Sequence, residues 1–163
     1  IRRLISNHEI ESANLLLGKN YKIIGKVIKG SNIGRAISFP TANLSISTIS
    51  QIIPGDGVYF VKAYINSDKY MGMCNIGYRP TISDGQDRGI EVHLFNYDKF
   101  DLYNQFIEIE FVDYIRSEKK FGNKEELKEQ LMKDKEYCKS LIIWLTEEIN
   151  VNIKRKNKRV SEF

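Results

Sequence analysis

The apolar positions near the start of the chain recur at the spacing of an amphipathic helix. This spacing predicts a helix over residues 7–17, with Ser6 or Asn7 as the cap. Gly18 follows directly and is the residue type that most often ends a helix. The residues of the apolar stripe are Ile10, Ala13, Leu16 and Leu17.

The middle of the chain alternates apolar and polar residues, which is the spacing of half-buried strands. The turn sequences at 54–57 and 66–69 separate some of these runs. Short strands at close intervals predict an antiparallel sheet or barrel. The predicted strands cover residues 21–30, 57–65, 70–76, 89–95 and 105–115.

The end of the chain returns to helical spacing over residues 124–150, and Asn123 is its candidate cap. The apolar stripe indicates packing against the sheet. Its members are Leu127, Leu131, Cys138, Leu141, Ile142, Leu145 and Ile149. A basic segment follows over 151–163, and we expect it to be a disordered, solvated tail rather than a nucleic-acid contact.

Composition changes this interpretation little. The 163 residues are 42% hydrophobic and 28% charged, which is typical of one globular domain. The net charge of +4 owes much to the basic tail. Cys74 and Cys138 lie far apart, without the spacing of a metal site, and this favours a reduced, cytoplasmic protein.

The candidate chemistry begins at a glycine-spaced run containing Gly25, Gly30 and Gly34. Glycine lets backbone N–H groups approach phosphate oxygens, although hairpin loops use glycine as well. The P-loop and the protein-kinase signatures are both absent from the sequence. A nucleotide site here would therefore belong to neither group.

Just downstream, Pro40 precedes Thr41 and Asn43, whose side chains offer neutral oxygen atoms. Such oxygens suit a Mg²⁺ ion that is held mainly by ATP phosphates. The alternative is a turn stabilised by these side chains after the proline.

Three further positions could take part in catalysis or binding, and each also has a purely structural explanation. Glu91 lies on the polar side of a predicted strand and could be a general base or a solvent-facing charge. His93 could bind a metal ion, but a histidine without clustered partners is more often structural. Arg116 could bind phosphate, or it could belong to a solvated loop.

Several stretches together are far more specific than any one of them. They occur in the order GKVIKGSNIGRAISFPTANL, GVYFVKAYI, MCNIGYRPT, IEVHLFNYDKFDLY and IRSEKKF. This order resembles riboflavin kinase, particularly the kinase module of bacterial bifunctional riboflavin kinase/FMN adenylyltransferase (FAD synthetase). The resemblance covers roughly residues 21–142.

The resemblance implies a mainly β fold: a small closed antiparallel, Greek-key-like barrel of about six strands. A short N-terminal helix and a long C-terminal helix would pack outside it. Residues 21–150 would form the kinase domain. Residues 1–20 would be a linker that follows an adenylyltransferase module not contained in this chain.

The resemblance also implies the reaction and its residues. ATP would phosphorylate riboflavin to FMN with Mg²⁺ as the metal, and Glu91 would be the base. Thr41 and Asn43 would hold the metal. The implied nucleotide-binding residues are Gly25, Lys26, Gly30, Ser31, Gly34, Arg35, Pro40, Thr41 and Asn43. The implied flavin-binding residues are Arg116, Glu118 and Phe121. Arg79 also matches a recurrent family position.

One departure from the family pattern is Asn104, where glycine is common. If the position needs a positive φ angle, asparagine tolerates it better than most residues. We expect no nucleic-acid partner and no membrane association.

Two rival interpretations rank below this one. A nucleic-acid-binding barrel would use the basic tail and some of the 9 tyrosines and 8 phenylalanines as stacking platforms. A flavin-binding module without turnover would keep the fold and lose the chemistry.

Overall fold

The computed structural model describes residues 1–30, 38–46, 51–78, 88–98 and 102–160. Within these residues the strands are β1 (Tyr21–Ile28), β2 (Ala42–Ser45), β3 (Gly57–Ile65), β4 (Asp68–Tyr78), β5 (Arg88–Leu94) and β6 (Phe106–Arg116). The helices are α1 (Arg2–Ser6), α2 (Ile10–Leu17) and α3 (Lys124–Val160).

The strands form a closed antiparallel barrel in the order β1-β2-β5-β4-β3-β6. The predicted fold class, a small six-stranded barrel with helices outside, is confirmed. None of the helices, as far as they are described, is both long and apolar enough to cross a membrane.

The turn predicted at residues 66–69 joins β3 to β4. Ile65 pairs with Asp68 across a two-residue turn in which Asn66 and Ser67 both have positive φ angles, 49° and 73°. That turn matches the twist of an antiparallel hairpin. Asn104 has a φ angle of 65°, so the asparagine there does occupy the left-handed region.

The apolar residues form two cores on opposite sides of the barrel wall. The first fills the barrel and includes Tyr59 and Phe111, with Ile10 and Ala13 of α2 packed onto it. The second lies between the outer wall and α3 and is built from Phe39, Val58, Phe60, Met73, Phe95 and Cys138. Leu127, Leu131, Leu141, Ile142 and Leu145 of α3 cover the second core, as their stripe predicted.

The N-terminal helix differs from its prediction. The helical segment is split into α1 and α2, and Glu9 rather than Ser6 or Asn7 precedes α2. Leu16 is 65% exposed, because the short helix buries only Ile10 and Ala13. Gly18 ends α2 in the left-handed conformation, as predicted.

Strand β2 and the end of α3 were also not predicted. β2 has only four residues, two of them polar, so its alternation is too short to recognise. The predicted helix ended at residue 150, followed by a disordered tail, whereas the backbone of α3 continues to Val160. Residues 151–160 contain no glycine or proline, and lysine and arginine are good helix formers.

Candidate active site

A row of polar residues crosses the outer face of the barrel. Asn43 of β2 and Asn75 of β4 both pair with Glu91 of β5, one on each side. Residues directly opposite one another on neighbouring strands project to the same face. Ile90 and Val92 belong to the interior core, so Glu91 between them faces outward. Asn43 and Asn75, which pair with Glu91, face outward with it.

Asn75 and Glu91 of this row line a cleft of about 230 Å³ beneath the start of α3, whereas Asn43 is buried beside it. Its polar and charged lining residues are Thr41, Asn75, Glu91, His93, Arg116, Glu118 and Lys119. Its apolar lining residues are Phe39, Val58, Met73, Phe121, Leu127 and Leu131. The cleft therefore combines a carboxylate with a large apolar wall.

Thr41 lies beside the carboxylate. Its hydroxyl donates to Oε2 of Glu91 across 3.4 Å. Pro40 fixes the backbone φ angle immediately before it, and β2 starts immediately after it. The side chains of Thr41 and Glu91, predicted separately, thus meet in one site.

Asn43 is buried, and Gly30 is the reason that it fits. A Cβ atom at Gly30 would lie 1.9 Å from Nδ2 of Asn43, so any larger residue would displace the amide. The backbone of Gly30 consequently touches the polar row. Ser31, Gly34 and Arg35, which continue this predicted nucleotide loop, lie outside the described residues, as does Arg79.

Gly25 and Lys26 lie apart from the cleft lining. Gly25 is in β1, where a Cβ atom would lie 2.9 Å from the side chain of Ile46. Lys26 is opposite Ser45 on β2 and Phe106 on β6. The position of Gly25 serves barrel packing, and nucleotide contacts at these two residues stay a prediction.

Arg116 is held by an acid on α3. Its Nε atom donates to Asp134 Oδ1 and Oδ2 at 3.0 Å each, and its Nη2 atom donates to Oδ2 at 2.8 Å. Gln130 donates to the same carboxylate at 2.8 Å, and Asp134 is 3% exposed. The ion pair therefore fastens the end of β6 to α3.

The segment after β6 folds back over the polar row. A Cβ atom at Gly77 would lie 1.9 Å from Oε1 of Glu118, so the glutamate occupies the space that this glycine leaves. The Phe121 ring centre lies 6.0 Å from Cζ of Arg116 and 5.6 Å from Nζ of Lys119. The three predicted flavin-binding residues thus line the same cleft as Glu91.

His93 is a core residue at the edge of this cleft. It is 7% exposed, and its Nδ1 atom donates to the carbonyl of Pro40 at 2.9 Å. Burial lowers the pKa of the imidazole, so the neutral form is favoured. Among the described residues, no group of three or more His, Cys, Asp and Glu side chains could hold a metal ion.

The family model described as riboflavin kinase matches residues 17–142. The chain belongs to the riboflavin kinase family. Two curated relatives bear the name bifunctional riboflavin kinase/FMN adenylyltransferase. The one from Bacillus subtilis is 46% identical over 138 residues, and the one from Haemophilus influenzae is 43% identical over 141 residues.

These matches cover 83% and 86% of the chain but 43% and 44% of the relatives. The chain therefore spans less than half the length of those relatives. Among solved structures, a riboflavin kinase from Trypanosoma brucei shares the fold, with a TM-score of 0.52 and 19% identity. That match covers 74% of this chain and 78% of the other.

A structure titled as a macrolide-efflux protein from Streptococcus pneumoniae also matches. Its TM-score is 0.78 at 33% identity, over 85% of this chain and 44% of that chain. This second solved structure thus shares the barrel fold. The activity in its title is said of that protein and not of this chain.

Sequence reasoning missed two polar residues of this riboflavin kinase fold. Asn75 lies within a predicted strand, and only the pairing of β4 with β5 reveals its position beside Glu91. Asp134 could have been found, because it is a lone acid at helical spacing from Leu127, Leu131 and Cys138. An acid on a buried stripe indicates a buried partner.

The donors present fit a hard divalent cation. Thr41 and Asn43 lie beside the Glu91 carboxylate, and their side chains supply neutral oxygen atoms of the kind that Mg²⁺ binds. Because Gly30 has no Cβ atom, the Asn43 amide has room beside it. A cation that keeps most of its coordination for phosphate oxygens is compatible with so few protein donors.

Proposed function

We propose that this chain transfers the γ-phosphoryl group of ATP to the 5′-hydroxyl of riboflavin, giving FMN and ADP. The observation that carries the proposal is the Glu91 carboxylate in the cleft, with Thr41 hydrogen-bonded to it and Asn43 beside it. Membership of the riboflavin kinase family supports the substrates.

Glu91 would be the general base. The 5′-hydroxyl oxygen attacks the γ-phosphorus, and its proton passes to a carboxylate oxygen of Glu91. The new bond joins that oxygen to phosphorus. The bond from the γ-phosphorus to the β,γ-bridging oxygen breaks, and ADP leaves with the electron pair.

Thr41 and Asn43 would hold magnesium-bound ATP at one end of this row. The metal ion would neutralise charge on the phosphate oxygens, which is the main requirement of phosphoryl transfer. Gly30 would start the loop that covers the phosphates, since its backbone already lies against Asn43. We propose the remaining nucleotide contacts, at Gly25, Lys26, Ser31, Gly34, Arg35 and Pro40, on the resemblance alone.

The apolar end of the cleft would receive the flavin ring. Phe121 offers a face for stacking, and Val58 and Met73 offer an apolar wall. Arg116 keeps N–H groups on Nη1 and Nη2 beyond those that Asp134 and the Ser117 carbonyl use. These groups, with Glu118, would contact polar atoms of the flavin.

We also propose that the chain is the kinase part of a bifunctional protein. The support is that its curated relatives are named for two activities and extend well beyond the matched region. Cytoplasmic location stays a prediction. Its support is that Cys74 and Cys138 are both free cysteines.

Riboflavin-dependent release of ADP tests the proposed reaction. We expect ADP only when the chain, Mg²⁺, ATP and riboflavin are all present. Lumiflavin, which has the flavin ring but no ribityl hydroxyl, should bind without turnover. Equal ADP release with lumiflavin or without any flavin would indicate a simple ATPase and contradict the proposal.

Removing the metal donors should weaken nucleotide binding. We expect Thr41→Ala or Asn43→Ala to reduce the affinity for Mg²⁺–ADP by about 10- to 100-fold, which is the usual loss of metal affinity when groups that support a metal site are removed. Thr146→Ala is the matched control, because its hydroxyl donates to Ile142 on an exposed part of α3. Titration calorimetry measures the Mg²⁺–ADP affinity of the two variants and of this control. Unchanged affinity in both Thr41→Ala and Asn43→Ala would exclude this assignment.

A further inference from the structure

We propose that His93 is a positioning residue, which sets Thr41 beside Glu91 by holding the carbonyl of Pro40. This role rests on the proposed function, because Thr41 and Glu91 are the residues that it would arrange. It differs from the metal-binding alternative that the sequence left open.

The contact with the Pro40 carbonyl determines which ring nitrogen of His93 carries the proton. A carbonyl oxygen accepts and never donates, so the 2.9 Å contact requires the proton on Nδ1 of His93. The other ring nitrogen, Nε2, is buried and has no hydrogen-bond partner among the described residues. The imidazole thus makes its hydrogen bond through Nδ1.

The register of the sheet explains why this contact matters. Pairing of β2 with β5 joins Ala42 to Val92 and Asn43 to Glu91, and it is not continued at Thr41. One further step along the same register would place Thr41 opposite His93. Proline has no N–H group to extend the ladder. The His93 side chain therefore connects the segment before β2 to β5, at a position where no backbone hydrogen bond of the ladder does so.

The surroundings keep the ring in a single orientation. The Phe39 ring centre lies 5.0 Å from that of His93, and the Phe95 ring centre lies 5.7 Å away. Lys135 of α3 lies over both phenylalanine rings, at 5.7 Å and 5.5 Å. A ring packed in this way gives the Pro40 carbonyl one fixed donor, and the neighbouring Thr41 hydroxyl reaches Glu91.

Two amide substitutions separate the roles of the ring nitrogens. His93→Asn places an amide N–H near the position of Nδ1, whereas His93→Gln places it near Nε2. We expect His93→Gln to raise the KM for ATP about tenfold and to weaken Mg²⁺–ADP binding equally. The KM for riboflavin should change less than threefold. His93→Asn should stay within about threefold of the unsubstituted chain in every constant.

A labelled-histidine NMR spectrum tests the tautomer independently of activity. The chain has 2 histidines, and His8→Gln assigns the signals while leaving turnover unchanged, since His8 contacts Tyr59 away from the cleft. We expect the Nδ1–H tautomer at His93. The Nε2–H tautomer, or equal kinetic constants for the Asn and Gln variants, would overturn the proposal.

Failure of the proposed function gives a different pattern. Absence of riboflavin-dependent turnover in the unsubstituted chain would remove the kinase assignment. Mg²⁺–ADP affinity in the same variants would still decide the role of His93: a selective loss in His93→Gln supports it, and no difference contradicts it. Comparable thermal unfolding of the two variants shows that folding does not cause the difference.

Discussion

Glu91→Gln should reduce the turnover number by roughly 10²- to 10⁴-fold, which is the range that general-base catalysis supplies. Glutamine has the shape of glutamate and can still accept from the Thr41 hydroxyl, but it cannot take the proton of the attacking hydroxyl. We therefore expect the affinities for Mg²⁺–ADP and riboflavin to stay within about threefold. Steady-state kinetics and titration calorimetry measure both quantities.

Glu108→Gln is the matched control for this substitution. Glu108 also lies on a barrel strand, but it accepts from Lys22 at 2.8 Å and is not part of the cleft lining. Its turnover number should be unchanged. Near-full turnover in Glu91→Gln would exclude Glu91 as the base and leave positioning by the metal and the loop as the source of catalysis.

Asp134→Ala should lower the free energy of unfolding by about 3–5 kcal/mol, which is the usual cost of removing one partner from a buried ion pair. The substitution leaves the Arg116 guanidinium without its carboxylate in a place where only 20% of that side chain is exposed. It also removes the acceptor of Gln130. Denaturant unfolding measures the loss.

Glu136→Ala is the control for the ion pair. Glu136 is two residues along the same helix and accepts from Lys139, but both of these side chains are exposed. Exposed pairs contribute little, so stability should change by less than about 1 kcal/mol. A loss in Asp134→Ala no larger than in this control would show that the Arg116 contact does not fasten α3 to the barrel.

The sequence predicted those parts of the fold in which periodicity is long. Every second residue of β3 from Tyr59 to Ile65 belongs to the interior core, and the stripe of α3 from Leu127 to Leu145 follows the helical period. The turn at Asn66 and Ser67 was predictable because few residue types adopt positive φ angles. Local chemistry was sufficient in each case.

The rest depends on pairing between distant strands. Asn75 becomes a site residue only through its register with Glu91, and β2 is too short for its alternation to be read. The motifs brought Thr41, Asn43 and Glu91 into consideration, but their proximity comes from closure of the barrel. Likewise, the sequence offers Arg116 for ligand binding and does not reveal that Asp134 holds it.

The most direct measurement of the central claim is the identity of the product. The purified chain, incubated with riboflavin, ATP and Mg²⁺, would be analysed by chromatography with mass detection of FMN and FAD. We expect FMN and ADP in equal amounts and no FAD. A folded chain that binds both riboflavin and ATP yet forms no FMN would contradict it.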